Sequence, residues 1–173
     1  MTTTNLYVQA SADDQDDSGD PIANPLMRTE WMNAVTPPSI CTCWFDITPS
    51  LTGETILGID MHWFQHASAK SKGVDYHHTI FLNGHLVFNQ TGYSASYQWK
   101  TAAVPAGSLQ YFNVDSLNRF EFVVPDPGGT YYRRWTMRTY DYDAGHTYAP
   151  YIVVEHTTAV AGTSTFTPII FVG

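Results

Sequence analysis

Short apolar runs separated by turn residues recur along most of the chain. In the clearest pair, HTIFLNGHLVFN at 78–89, two apolar runs flank Asn83 and Gly84. Asn-Gly tolerates the positive φ that both central residues of a type I′ turn require, so this stretch predicts a β-hairpin. Further segments of strand character occupy residues 5–10, 40–47, 55–66, 93–100, 109–114, 119–124, 131–142, 151–157 and 166–172. Frequent short strands predict an all-β fold, an antiparallel β-sandwich of jelly-roll type with about nine or ten strands.

One segment departs from the strand pattern. NPLMRTEWMNAV at 24–35 places Asn24 as an N-cap candidate and Pro25 at the first helical position, with its apolar residues in loose helical register. Pro37 and Pro38 would end such a helix. The sequence therefore predicts at most one short helix, near residues 25–34.

The most unusual strand candidate is YYRRWTMRTYDY at 131–142. Alternate residues of a strand face opposite sides, so Trp135 and Met137 belong to one face, which suits the core. The opposite face would be amphipathic, with arginine stems and tyrosine rings covering the sheet. Its members are Tyr132, Arg134, Thr136, Arg138, Tyr140 and Tyr142.

This outer face has two interpretations. Tyr132, Arg134, Arg138 and Tyr140, together with Trp99, could bind a glycan by ring stacking and hydrogen bonds. The plainer interpretation, which we favour, is a solvated or protein-facing sheet surface, because protein interfaces also enrich aromatic residues and arginine.

The C-terminal segment is a spacer of small residues followed by a last apolar run. We expect a sandwich over residues 1–156 and a C-terminal strand or arm over residues 157–173. That strand either closes the domain's own sheet or pairs with a neighbouring chain. Its candidate contact residues are Phe166, Ile169, Ile170 and Phe171.

Composition limits the classes of partner. The 173 residues suit one domain, and charged residues make up only 14% of them while aromatics make up 14%. The net charge is −8, which disfavours nucleic acid and anionic membrane surfaces as partners. The start, MTTTNLYVQASADD, has neither a basic nor an apolar segment, so we expect no secretory signal. No apolar run approaches the roughly 18 residues of a membrane-spanning helix.

Two cysteines, Cys41 and Cys43, lie two residues apart in a predicted strand. Their side chains would point to the same side with Cβ atoms roughly 7 Å apart, which is beyond disulfide reach. We expect reduced thiols in a protein that is made and assembled in a cytoplasm.

Two stretches carry a family resemblance. CWFDITPSLTGETILGIDMHWFQ at 43–65 resembles the second-strand region of jelly-roll domains similar to carbohydrate-binding modules, with Phe45-Asp46 in the place of an aromatic-Asp pair. RRWTMRTYDYDAGHTYAPYIVVEHT at 133–157 resembles the closing hairpin of the same family, with Ala149-Pro150-Tyr151 in the place of its Ala-Pro-Tyr motif. Trp44 stands where that family often has arginine.

The resemblance extends over about residues 5–157 and implies a fold more than a function. Such sandwiches occur in secreted polysaccharide-active proteins and in the tails, fibres and capsid-decorating proteins of tailed bacteriophages. The resemblance, with the expected reduced cysteines and missing signal, implies a non-catalytic virion protein, assembled in the host cytoplasm, that decorates and stabilises the capsid. Its partners would be viral capsid or tail proteins and other copies of itself, with a trimer as one option. The alternative is a tail, baseplate or receptor-binding protein that acts as a carbohydrate-binding module.

An acidic stretch, ADDQDDSGDP at 12–21, has oxygen ligands at calcium-loop spacing: Asp14, Asp16, Ser18 and Asp20. An EF-hand loop that starts at Asp14 would need glutamate at its twelfth position, where this chain has Pro25. Structural calcium bound here is one interpretation, and a solvated acidic loop is the other. We expect no other cofactor.

No other motif indicates a metal or a catalytic centre. His62 and His66 are too far apart on a strand to share one zinc ion, and GYSASY at 92–97 is not a nucleophile elbow. The remaining carboxylates form no pair that their neighbours single out. We therefore expect a protein that is not an enzyme.

Overall fold

The structure, a computed structural model, describes residues 1–7, 14–15, 26–32, 40–48, 50–70, 77–91, 97–125, 132–138 and 142–157. Eleven strands and a 3₁₀ helix, Ala106–Tyr111, lie in these ranges. The strands are β1 Thr2–Tyr7, β2 Asp14–Gln15, β3 Leu26–Met32, β4 Ile40–Phe45, β5 Ile56–Lys70, β6 His77–Leu82, β7 His85–Thr91, β8 Gln98–Ala103, β9 Asn118–Val123, β10 Tyr132–Arg138 and β11 Tyr151–His156.

The strands form two antiparallel sheets. The first sheet contains β1, β11, β5, β10 and β3 in that order, and β8 also pairs with β5. The second sheet has the order β2-β4-β9-β6-β7. Buried apolar side chains of both sheets form one core cluster. The predicted all-β antiparallel sandwich is thus confirmed.

The long strand β5 organises the first sheet. Asp60 pairs with Val153 of β11 and with Ala103 of β8, while Gln65 pairs with Met137 of β10 and with Gln98 of β8. Since a strand has two edges, β11 and β10 follow one another along one edge of β5, and β8 lies along the other. The chain therefore leaves the sheet between β10 and β11, beside Phe64.

Large aromatic side chains from both sheets meet at the centre of the core. Trp63 and Trp135 of the first sheet are fully buried, as is Phe122 of the second. The Trp135 and Phe122 rings stack at 4.9 Å, and Trp63 meets Phe122 at 5.5 Å. Trp135 and Met137 are both fully buried, so the predicted inward face of residues 131–142 is confirmed at these two positions.

The predicted hairpin at 78–89 is confirmed as β6 and β7. Asn83 has φ 50° and Gly84 has φ 84°, as a type I′ turn requires. The Asn83 side chain also joins this turn to its surroundings, because its Nδ2 donates to Tyr111 O at 2.7 Å and its Oδ1 accepts from Arg119 N at 2.8 Å.

The predicted helix near residues 25–34 is wrong. Residues Leu26–Met32 form β3, which pairs antiparallel with β10 from Tyr132↔Met32 to Arg138↔Leu26. A full ladder of backbone hydrogen bonds outweighs the weak helical preference of so short a segment. The predicted strand at 109–114 is also wrong, since Ala106–Tyr111 is a 3₁₀ helix.

Other boundaries shift by a few residues. The first strand is Thr2–Tyr7 where 5–10 was predicted, and β8 is Gln98–Ala103 where 93–100 was predicted. The predicted strand at 166–172, and with it the arm over 157–173, lies outside the described residues apart from Thr157. The division of the chain at residue 156 remains a prediction.

Cys41 and Cys43 form no disulfide bond, and both are fully buried on the inward face of β4. They act as small apolar side chains in the core. Within the described ranges, no helix has the length and apolar character needed to cross a membrane.

Candidate functional site

A row of polar aromatic side chains crosses the outer face of the first sheet. The register aligns Tyr7 of β1, Tyr151 of β11, His62 of β5 and Thr101 of β8 side by side. Tyr7 and Tyr151 have their ring centroids 5.3 Å apart, and Tyr151 stacks on His62 at 4.4 Å with an angle of 4° between the rings. Thr101 Oγ1 lies 2.9 Å from His62 Nδ1 and completes the row.

A second row lies beside the first. Phe64 of β5 pairs with Trp99 of β8, and their rings meet edge to face at 5.6 Å. Trp99 also meets Tyr151 of the first row at 5.6 Å. Trp99 remains 40% exposed and Tyr7 remains 48% exposed, so ring surface at both ends of this set faces solvent.

The irregular segment before β11 adds two more tyrosines. Tyr148 meets Phe64 at 4.6 Å, and Tyr142 meets Tyr148 at 5.4 Å. A turn sets their positions, because Asp143 Oδ1 accepts a hydrogen bond from Thr147 N at 2.8 Å and Asp143 O accepts one from His146 N at 3.0 Å. This segment covers Phe64 at the point where β10 and β11 separate.

Arg138, the last residue of β10, lies among these rings. Its Cζ is 3.9 Å from the ring centroid of Tyr142, 4.0 Å from that of Tyr148 and 4.3 Å from that of Phe64. Tyr97, which is 60% exposed, is 5.8 Å away. Such distances are typical of cation–π contacts.

Together these side chains form one continuous surface, which we call the aromatic face. Each member contacts at least one other member through a ring or a guanidinium. The members are Tyr7, His62, Phe64, Tyr97, Trp99, Arg138, Tyr142, Tyr148 and Tyr151.

Burial shifts the titration of two groups on the aromatic face. It lowers the pKa of His62 below its ordinary value, against the opposing effect of the Asp60 carboxylate. Burial, with a smaller contribution from Tyr7, raises the pKa of Tyr151 above its ordinary value. At neutral pH His62 is therefore mainly uncharged and Tyr151 keeps its hydroxyl proton.

The aromatic face combines flat apolar surface with hydroxyl groups and a cation. Exposed rings can pack against the C–H face of a sugar ring, and tyrosine hydroxyls can donate to and accept from sugar hydroxyls. Because stacking rings and Arg138 fix many of these side chains, little conformational entropy would be lost on binding.

The structure brings together two of the residues that the sequence singled out for an interface, Trp99 and Arg138. Tyr132 and Arg134 lie in β10, but only their backbone is described. Tyr140 lies outside the described residues, as do Phe166, Ile169, Ile170 and Phe171. The assignment of these residues to an interface remains a prediction.

Of the acidic stretch at 12–21, the structure describes only Asp14 and Gln15. Asp14 lies in β2 and pairs with Cys43, whereas Asp16, Ser18 and Asp20 lie outside the described residues. Among the side chains that the structure does describe, no three His, Cys, Asp or Glu residues cluster closely enough to hold a metal ion. Calcium at residues 14–20 remains a prediction from the sequence.

Several described carboxylates have local partners. Glu121 forms an ion pair with Arg119 at 3.2 Å, and Asp46 accepts a hydrogen bond from Thr48 Oγ1 at 3.0 Å. Glu54 bonds to the buried His156, whose other ring nitrogen lies 2.9 Å from Thr4 Oγ1. This last contact ties β1 to β11.

Sequence reasoning missed most of the aromatic face. Strand parity could have grouped His62 with Phe64, and Tyr151 is the first residue of a predicted strand. Strand parity did place Tyr142 on the same face as Arg138, although the strand ends at Arg138. Tyr148 gave no usable signal, since an irregular segment has no period from which its facing could be read.

Comparison with known proteins shows only distant similarity. The sequence matches no protein-family model and no curated protein. Among solved structures, the chain is similar to "Carbohydrate-Binding Module CBM36 in complex with calcium and xylotriose", with 11% identity, a TM-score of 0.36, and coverage of 91% of this chain and 100% of that one. It is also similar to dimeric latent PorU from Porphyromonas gingivalis, with 13% identity, a TM-score of 0.33, and coverage of 79% of this chain and 13% of that one.

Proposed function

We propose that this protein is a non-catalytic carbohydrate-binding domain that holds glycan chains on its aromatic face. The observation that supports this most is the partly exposed Trp99, which contacts Phe64 and Tyr151 and so presents indole surface from a braced position. Sugar rings have one apolar face and a polar rim. A braced, exposed aromatic ring beside hydroxyl groups matches both features.

The two tyrosines of β1 and β11 extend this surface. Tyr7 is about half exposed and contacts Tyr151, which in turn contacts Trp99. A chain of several sugar units could therefore touch Trp99 with one unit and Tyr7 with another. We expect dissociation constants in the micromolar to millimolar range, about −4 to −8 kcal/mol, because such a site is open and not a deep pocket.

Binding to a panel of immobilised glycans, followed by calorimetry with the best ligand, tests the proposal. Trp99→Ala should weaken binding by about tenfold or more, because removing an anchoring aromatic side chain from an interface costs about 2 kcal/mol. Trp44→Ala is the matched control, since Trp44 contacts Arg119 in the second sheet and is outside the aromatic face. It should leave the affinity unchanged.

Two results would contradict the proposal. One is a protein that binds no glycan of the panel. The other is a weaker glycan affinity in Trp44→Ala together with an unchanged affinity in Trp99→Ala. Circular dichroism of both variants shows whether either loss reflects unfolding.

A second candidate function is a structural protein of a tailed-bacteriophage virion, most naturally one that decorates the capsid. The exposed tyrosines and tryptophan favour it as well, because protein interfaces also enrich aromatic residues and arginine. Under this hypothesis the aromatic face contacts capsid subunits or other copies of the chain. Light scattering of the purified protein, and its sedimentation with expanded capsids, would then show self-association and shell binding without glycan binding.

A further inference from the structure

Arg138 differs from an ordinary surface arginine in having rings where a carboxylate would be expected. Tyr142, Tyr148 and Phe64 surround its Cζ at 3.9–4.3 Å. The ion pairs found among the described residues are Arg119–Glu121 and His156–Glu54, so Arg138 has no carboxylate partner there. Its Nε is buried and has no hydrogen-bond acceptor in the same set of residues.

Arg119 provides a contrast within the same molecule. It also lies over an aromatic ring, with its Cζ 5.6 Å from the centre of Trp44, but it has an ion pair with Glu121 at 3.2 Å in addition. A guanidinium is permanently charged, and aromatic rings cover its faces without accepting the hydrogen bonds of its N–H edge. As far as the described part of the chain shows, Arg138 therefore retains unused donors, in a side chain that is only partly exposed.

The contacts of Arg138 place its N–H donors beside the proposed sugar site. Phe64 contacts Arg138 on one side and Trp99 on the other, and the exposed Tyr97 is a further ring near the guanidinium. A sugar that stacks on Trp99 or Tyr97 would thus carry its substituents close to a cation that has no ion-pair partner among the described residues. Planar carboxylates fit the N–H fork of arginine best, through two parallel hydrogen bonds.

We propose that the aromatic face selects acidic glycans, and that Arg138 binds the carboxylate of a uronic acid unit. This inference rests on the proposed carbohydrate-binding function and names its ligand class. The net charge of −8 opposes acidic ligands at long range, so the preference must come from local contact with Arg138. The nearby Asp143 carboxylate already accepts the Thr147 N–H at 2.8 Å, which commits one of its oxygens to the turn.

The test compares matched ligands. Calorimetry measures the binding of uronate oligosaccharides, such as oligogalacturonate and oligomannuronate, and of the same oligosaccharides after reduction of the carboxyl group to a primary alcohol. At least one acidic oligosaccharide should bind about tenfold more tightly than its reduced form, which is the usual effect of one charge-assisted hydrogen bond. Sulfated neutral oligosaccharides form a third arm that distinguishes carboxylate recognition from general anion binding.

Substitutions of Arg138 test whether this residue causes the preference for the acidic oligosaccharide. Arg138→Gln should abolish the preference for the acidic form, and Arg138→Lys should keep only part of it, because lysine lacks the planar fork. Arg119→Gln removes the same charge from the second sheet and should leave the preference intact. If Arg138→Gln does not fold, the wild-type comparison and Arg138→Lys still decide the outcome.

The outcomes distinguish a failure of this inference from a failure of the proposed carbohydrate-binding function. Equal binding of acidic and reduced oligosaccharides would overturn the selection of acids. A preference that survives in Arg138→Gln would overturn the assignment of that selection to Arg138. Both results would leave carbohydrate binding standing. Equal gains from sulfate and carboxylate would also overturn it. No binding to any oligosaccharide would contradict both proposals.

Discussion

On the outer face of the first sheet, the protein environment changes the charge state of some side chains and not of others. His62 stacks on Tyr151 and contacts Thr101, and burial lowers the pKa of its imidazole. Arg138 keeps its charge because a guanidinium cannot lose its proton in a protein. At neutral pH, Arg138 is therefore the main cation of the aromatic face.

The lowered pKa of His62 makes stability depend on pH. The unfolded chain binds a proton at His62 near pH 6.5, whereas the folded chain binds it only at lower pH, so stability falls as pH decreases below about 6.5. We expect His62→Gln to reduce this loss. The measurement is the free energy of unfolding in urea at pH 7.5 and at steps down to pH 5.

His85→Gln is the matched control for this experiment. His85 also stacks on a tyrosine, Tyr111, at 3.7 Å, but it lies on the hairpin of the second sheet. His85→Gln shows what the removal of a tyrosine-stacked histidine does to the pH profile by itself, and the result for His62→Gln is compared with it. Identical pH profiles for wild type and His62→Gln would show that His62 titrates alike in the folded and unfolded chains.

At the scale of elements, the sequence pattern predicted the elements whose conformation is set by residues adjacent in the chain. The hairpin at 78–89 was predictable because Asn83 and Gly84 suit the turn by themselves. Strand β3 was not, because its state depends on pairing with β10, about a hundred residues further along the chain. The 3₁₀ helix Ala106–Tyr111 was missed because its apolar residues alternate as a strand's would.

The turn itself can be tested through its glycine. Gly84 has φ 84°, and a Cβ added there would meet only Arg119 Nη2 at 3.9 Å, which is ordinary contact. The cost of Gly84→Ala is therefore conformational, and we expect a loss of about 1–2 kcal/mol in the free energy of unfolding. Chemical denaturation measures this loss.

Gly107→Ala gives the comparison. Gly107 lies in the 3₁₀ helix, and a Cβ added there would meet nothing within 4 Å. This variant should be close to neutral, since it needs no positive φ. Equal destabilisation by both substitutions would contradict a conformational origin for the effect at Gly84.

At the scale of the whole molecule, tryptophans serve two separate purposes. Trp63 and Trp135 are fully buried and contact Phe122 of the second sheet, while Trp99 lies partly exposed on the outside of the first. The sequence predicted the sandwich and the inward facing of Trp135, because strand period and turn residues are local properties. It did not predict how Tyr7, Tyr151 and Trp99 meet, because that requires the register of four strands, β1, β11, β5 and β8, which are distant in sequence.

The most direct test of the account observes these tryptophans during a glycan titration. Two-dimensional ¹H–¹⁵N NMR resolves each indole N–H, and Trp99→Ala and Trp44→Ala assign the two signals of the sheet surfaces. We predict that an oligosaccharide shifts the Trp99 signal progressively and leaves the Trp44 signal in place. A shift of the Trp44 signal with an unmoved Trp99 signal would show that glycans bind elsewhere and would contradict the account.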